Sequence, residues 1–125
     1  MPAFNFQKQF AAAVARGEKT QTIRAHRKDG RVPAKVGDTL ALYTGMRHPS
    51  CRKLLDAECT AVRSVTIDHF SVIHGAQKIL GCPLNVFAQA DGFEDWHAMH
   101  GWFEETHGLP FEGWLIQWRP TGGGA

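Results

Sequence analysis

Lys19, Thr22 and Arg24 stand together in one short segment, Gly17-Glu18-Lys19-Thr20-Gln21-Thr22-Ile23-Arg24. β-Branched residues alternate there with polar ones, which predicts a strand over 20–24 and puts Thr20, Thr22 and Arg24 on one face. A cation, a hydroxyl and a guanidinium so concentrated suit an anionic or carbonyl-bearing ligand. Arginine offers two parallel donors to a phosphate, while lysine offers a point charge or, once desolvated, a base. Just beyond lies a basic loop with Arg27, Lys28 and Arg31 around the turn dipeptide Asp29-Gly30. Phosphate contact needs only accessible cations, so this loop is a candidate nucleic-acid surface. A solvated strand edge and a solvated loop would use the same residue types, and the residues alone leave both readings open.

The elements that must position these groups are short. Phe6, Phe10 and Val14 recur every four residues among alanines, which predicts a helix over 5–15 with Asn5 as N-cap and Gly17 as stop. After the strand over 20–24, further strands are expected over 39–44, 56–68 and 112–119. The segment 69–74 either continues the strand over 56–68 after a bend or forms its own strand, and 75–83 carries no clear period. Helices are expected over 84–90 and 93–106, the second with Phe93, Trp96, Met99, Trp102 and Phe103 on one stripe. In the last strand Trp114, Ile116 and Trp118 share a face. This is an α+β pattern, and a small closed or half-closed barrel would remove the strand edges. One domain over 1–120 followed by a flexible tail over 121–125 accounts for the 125 residues.

Composition excludes several classes. Apolar residues make up 43% of the chain, as in an ordinary globular domain. No apolar run approaches the ~20 residues that span a membrane, and the first ten residues lack the pattern of a signal peptide, so a cytoplasmic protein without membrane contact is expected. The three cysteines, Cys51, Cys59 and Cys82, show no CxxC spacing and are expected as free thiols, two or three of them partly buried. The net charge of +2 is unevenly spread: residues 1–53 hold 11 Lys/Arg against 3 Asp/Glu, and residues 54–125 hold 3 against 9. Such a distribution either concentrates anionic ligands on the basic half or is cancelled by ion pairs across the fold.

The order Gly17-x-Lys19-Thr20-x-Thr22-Ile23-Arg24, then Val36-Gly37-Asp38, then Ala90-Asp91-Gly92-Phe93 with Trp96 and Trp102-Phe103, and finally Trp114, Ile116 and Trp118 resembles the ASCH family over nearly the whole chain. The resemblance implies a small PUA-like β-barrel with flanking α-helices, a positively charged cleft, and RNA or a modified nucleoside as partner. Some members are amidohydrolases that deacetylate N4-acetylcytidine, and another is a ribonuclease. The amidohydrolase site consists of a lysine, a threonine and an acidic residue ahead of the second helix. The matching positions are Lys19, Thr22 and Asp91, although the amidohydrolases carry glutamate, one methylene longer, where Asp91 aligns. Thr22 Oγ would then attack an amide carbonyl, Lys19 would activate it if burial and Arg24 lower its pKa, and Asp91 would position or protonate the leaving group. In a ribonuclease, Lys19 and Arg24 would instead stabilise charge on phosphate.

Three functions are therefore in view: a hydrolase on a modified nucleoside or RNA, a non-catalytic RNA-binding module, and a protein-interaction domain. One pocket holding Lys19, Thr22 and Asp91 favours the first, a broad basic groove the second, and a flat apolar patch the third. No Gly-rich phosphate loop is present, so neither a nucleotide cofactor nor any other is expected. Among the seven histidines, His97, His100 and His107 lie on or beside one predicted helix. They lack the further ligands of a zinc site of recognised spacing, so no metal is expected. The tryptophans could stack on bases but fit the apolar stripes better.

Overall fold

A computed structural model describes residues 2–121. Among these, alternating and helical periods resolve into β1 (Ala3–Phe6), α1 (Lys8–Ala15), β2 (Gln21–Ala25), β3 (Thr39–Thr44), β4 (Arg52–Ile67), β5 (Ser71–His74), β6 (Gln77–Leu80), α2 (Pro83–Ala90), α3 (Trp96–Thr106) and β7 (Phe111–Pro120). The fold is α+β, with seven strands in one open sheet. The long β4 is its spine: along one edge β4 pairs with β3 and then β5, and along the other with β7, which in turn pairs with β2. β1 adds in parallel outside β3, and β6 outside β5.

Two hydrophobic clusters take alternate residues of β7. Ile116 and Trp118 join Phe4, Phe6, Val14, Leu40 and Leu42 in the first, beside α1. Leu115 joins Leu84, Phe87, Met99 and Phe103 in the second, beneath α2 and α3. The period of two in β7 thus places the two clusters on opposite faces of the strand. Asp95 caps α3 by accepting from Ala98 N–H at 2.8 Å, and Asn85 Oδ1 accepts from Trp96 N–H at 2.9 Å, joining α3 to α2.

Gly113 marks where β7 passes under β2. A Cβ there would clash with the backbone oxygen of Arg24, a contact that no rotamer change relieves. Gly113→Ala is expected to push β2 off β7 and cost on the order of 1–3 kcal/mol, measured as a lowered midpoint in urea denaturation.

Several expectations need correction. The helix expected over 5–15 begins at Lys8 with Gln7 as its N-cap, and Asn5 lies in β1 instead. β1 is too short to interrupt the four-residue spacing of Phe6, Phe10 and Val14, which extends the helical period across it. β4 starts at Arg52, four residues ahead of the strand expected over 56–68, because Arg52 and Lys53 pair with Thr44 and Tyr43. The segment 75–83 contains β6, and 69–74 contains the separate strand β5. Of the three thiols only Cys59 is buried, while Cys51 and Cys82 are exposed. The sheet is not a closed barrel, because no ladder joins β1 to β2 among the described residues. Of the expected tail, residues 122–125 lie outside the described residues, and Thr121 N–H donates to Asp56 O at 3.1 Å. No helix is long and apolar enough to cross a membrane among the described residues.

Candidate functional site

Two backbone junctions bring distant residues into contact. At the end of α1, Gly17 takes a φ of 77°, and the N–H groups of Glu18 and Lys19 both donate to Ala13 O at 2.9 and 3.0 Å. These bonds satisfy an otherwise orphaned helix carbonyl. The next residue, Thr20, donates its N–H to Ala90 O at 3.0 Å, tying the entry of β2 to the last turn of α2. Lys19 and Asp91 therefore face each other across a 72-residue separation.

Both side chains are nearly out of solvent, with Lys19 3% and Asp91 4% exposed. Lys19 Nζ donates to the backbone oxygen of Asp91 and lies 3.6 Å from Asp91 Oδ1. It also sits over the rings of Phe10, 5.0 Å from the centroid, and Phe6, at 5.7 Å, a placement that attracts a cation to the ring faces. Gln21, 1% exposed, donates from Nε2 to Asp91 Oδ1 at 3.4 Å and accepts from Gln117 Nε2 at 3.3 Å. The carboxylate is thus held by a relay that reaches β7.

Gly92 is required by the same packing. Its φ is 93°, and a Cβ would lie 2.9 Å from Lys19 Cδ and 3.1 Å from Phe10 Cδ1. Gly92→Ala combines left-handed strain of about 1–2 kcal/mol with displacement of the lysine stem. The expected result is a folded but less stable protein with disturbed Lys19 resonances, measured by thermal melting and NMR.

Thr22 and Arg24 face the cavity from β2. Arg24 Nε donates to Thr22 Oγ1 at 3.1 Å, and an Nη of Arg24 donates to Asn5 O of β1 at 2.9 Å. The guanidinium also lies 5.1 Å from the ring centroids of both Phe4 and Phe6. Arg24 therefore spans the unpaired gap between β2 and β1. Donation from a guanidinium to Thr22 Oγ1 stabilises negative charge on that oxygen.

Burial dominates the electrostatics. Removal from water pushes the Lys19 ammonium well below its ordinary range; Asp91 opposes the shift and Arg24 adds to it. Burial pushes the Asp91 carboxyl up, against the attraction of Lys19, the Gln21 hydrogen bond and the charge of Arg24. Arg24 is also lowered by burial, with Asp91 opposing. Both members of the Lys19–Asp91 pair thus move toward their neutral forms, an amine able to take a proton and a carboxylic acid able to give one.

The cavity beside them holds about 230 Å³, roughly eight waters' share of liquid volume. Lys19, Thr22, Arg24 and Asp91 line it, together with an aromatic wall that includes Phe10 and Trp102. Arg27, Lys28 and Arg31 do not join them: they lie exposed on the loop after β2. Asp29 partly neutralises that loop, pairing with Arg27 at 3.1 Å and Arg31 at 3.9 Å.

Sequence reasoning missed four contributors: Gln21, the Asn5 carbonyl, the ring faces of Phe6 and Phe10, and His107, which also lines the cavity. Gln21 lies inside the singled-out segment, where alternation assigns it to the face opposite Thr22. A backbone carbonyl has no sequence signal, and phenylalanines at helical spacing read as core.

The chain is thus an α+β protein with a buried lysine–carboxylate pair opening on an aromatic-walled cavity. Comparison with protein-family models, with curated proteins and with solved structures gives no match to it.

Proposed function

We propose that this chain is a cytoplasmic ASCH-type hydrolase with a PUA-like fold, directed at RNA or a modified nucleoside and cleaving an amide of the N4-acetylcytidine kind. The observation that carries this reading is the convergence of Lys19, Thr22 and Asp91 on one cavity. The path β2–β7–β4–β3–β1, with Arg24 reaching from β2 to β1, supports a PUA-like barrel open at that seam. In the reaction, the neutral Lys19 amine takes the proton of Thr22 Oγ as the oxygen bonds to the amide carbon. The Arg24 guanidinium steadies charge on the attacking oxygen. Asp91 donates its proton to the departing nitrogen as the C–N bond breaks. Lys19, protonated in the first step, passes that proton to the Asp91 carboxylate 3.6 Å away. The neutral amine then deprotonates a water that attacks the ester carbon, and returns the proton to Thr22 Oγ as the C–O bond breaks and the carboxylic acid leaves. Phe10 and Trp102 offer apolar faces to a planar base.

A second reading, a non-catalytic RNA-binding module, is favoured by the charge distribution. Among the described residues, the Lys/Arg–carboxylate pairs that join the basic and acidic halves are Lys19–Asp91 and Lys53–Asp56. The halves are therefore not cancelled across the fold, and the exposed loop cations remain accessible to phosphate.

The test is incubation of the protein with N4-acetylcytidine and, separately, with a short single-stranded RNA, beside Lys19→Ala. Cytidine released by the wild type and not by the variant is the expected result. RNA cleavage lost in the variant would keep the site but change its bond. Salt-sensitive RNA binding without product would replace the hydrolase by the binding module.

A further inference from the structure

Away from the cavity, α3 and the turn after β4 bring three metal-ligating side chains together. His100 and Glu104 are four residues apart on α3 and so lie on one face, a turn apart. His69 approaches from the β4–β5 turn. Its Nδ1 lies 3.4 Å from Glu104 Oε2, and His100 Nε2 lies 3.9 Å from the same oxygen. One donor atom from each of the three residues falls within 4.8 Å of the others. Ligand atoms 2.0–2.2 Å from a tetrahedral zinc stand about 3.3–3.5 Å from one another, so small side-chain rotations complete the geometry.

Three observations favour a bound cation over a simple ion pair. His100 Nε2 is buried and has no hydrogen-bond partner among the described residues, although it points toward the carboxylate. The turn that carries His69 is also held in place. The Asp68 carboxylate accepts from the N–H groups of Phe70 and Ser71 at 2.9 and 2.7 Å and from Ser71 Oγ at 2.9 Å. Trp96 packs against His100 with ring centroids 5.7 Å apart, fixing the second imidazole. The expectation of no metal rests on His97, His100 and His107; the fold gathers a different trio, in which His69 and Glu104 join His100.

We propose that His69, His100 and Glu104 form a site for a borderline divalent cation of the zinc class. Two imidazoles and one carboxylate match the donor preference of zinc, whereas calcium and magnesium take oxygen ligands, usually six or more. Three protein ligands leave a coordination position for water. The cation links α3 to the β4–β5 turn, and α3 carries Trp102 and Phe103 of the cavity wall and ends at its C-cap His107, which also lines the cavity. It therefore steadies one side of the candidate active site without touching it.

Titration of the full chain with zinc chloride, followed by calorimetry, tests this. One-to-one binding is expected, weakened by His69→Ala or His100→Ala at least as strongly as loss of an outer-shell partner, on the order of 10–100-fold. His97→Ala, on the same helix but exposed, should bind as the wild type does. His69 lies in an exposed turn, so His69→Ala keeps its fold, checked by circular dichroism, and separates a lost ligand from lost structure. A wild type that takes up no zinc would overturn the site. So would equal affinity in His69→Ala and His100→Ala, which would assign the metal to other donors such as Cys51 or Cys82.

Discussion

Lys19→Ala is expected to lower turnover of N4-acetylcytidine by about 10²–10⁴-fold, the usual contribution of a positioned acid or base. The loss should fall on kcat, because the amine acts on a proton that moves only in the transition state. The wild-type rate should describe a bell against pH. In the proposed hydrolysis, the active form of the Lys19–Asp91 pair holds one proton, on the carboxyl, with the amine free. On the acid side the pair takes a second proton and the base is lost. On the alkaline side it loses its last proton and the acid is lost. The two arms belong to the pair rather than to either residue. Asp91→Asn cannot donate the proton to the leaving nitrogen, so the alkaline arm should disappear along with most of the rate. The same Lys19→Ala protein should still unfold cooperatively, which separates a chemical role from a structural one.

The second large effect is on stability. Lys19 in the fold has a pKa below its unfolded value of 10.5, so its contribution is fully present only above 10.5 and falls away as pH drops through the folded pKa. Asp91 has a folded pKa above 3.8, so its contribution is fully present only below 3.8 and is lost as pH rises through the folded pKa. Around neutral pH both shifts therefore oppose folding. Replacing buried ionic groups by neutral ones of similar shape often gains about 1–4 kcal/mol. The double variant Lys19→Met with Asp91→Asn should accordingly be more stable than the wild type by that order while being inactive. Asparagine keeps an acceptor for Gln21, and methionine keeps contact with Phe10. Lys19→Met alone leaves the Asp91 carboxyl buried without its Lys19 Nζ partner and should be less stable than the double variant. Urea denaturation at neutral pH reads all three proteins. A double variant markedly weaker than the wild type would mean that the pair holds the fold together instead of serving chemistry.

Much of this arrangement was legible in the residues, for reasons particular to each element. Thr39–Thr44 reads as a strand because its apolar residues are bounded by Gly37-Asp38 and Gly45, and α3 reads as a helix because its apolar stripe has a period near 3.6. β1 was hidden because four residues carry too little alternation to break the Phe6–Phe10–Val14 spacing. β6 was hidden because its exposed residues show no buried face to mark a period, as the exposed Gln77, Lys78 and Leu80 illustrate. At the site, Lys19, Thr22 and Arg24 are legible because they are neighbours in sequence. Asp91 was legible only through family resemblance, since nothing local to Ala90-Asp91-Gly92 announces a partner 72 residues away. Gln21 was not legible because a strand glutamine ordinarily faces water, whereas here Asp91 and Gln117 satisfy it inside the protein. The metal-ligating trio depends on a turn meeting a helix, a tertiary event with no local period.

Burial, more than pairing, sets the state of Lys19, and this can be measured without any substrate. Protein labelled at lysine Cε carries six lysines, and their carbon resonances can be followed by NMR across pH. One resonance, absent from Lys19→Ala, is expected to titrate clearly below the ordinary lysine range. If that resonance instead titrates at or above the range, Lys19 is a permanently charged ion-pair partner and not a base.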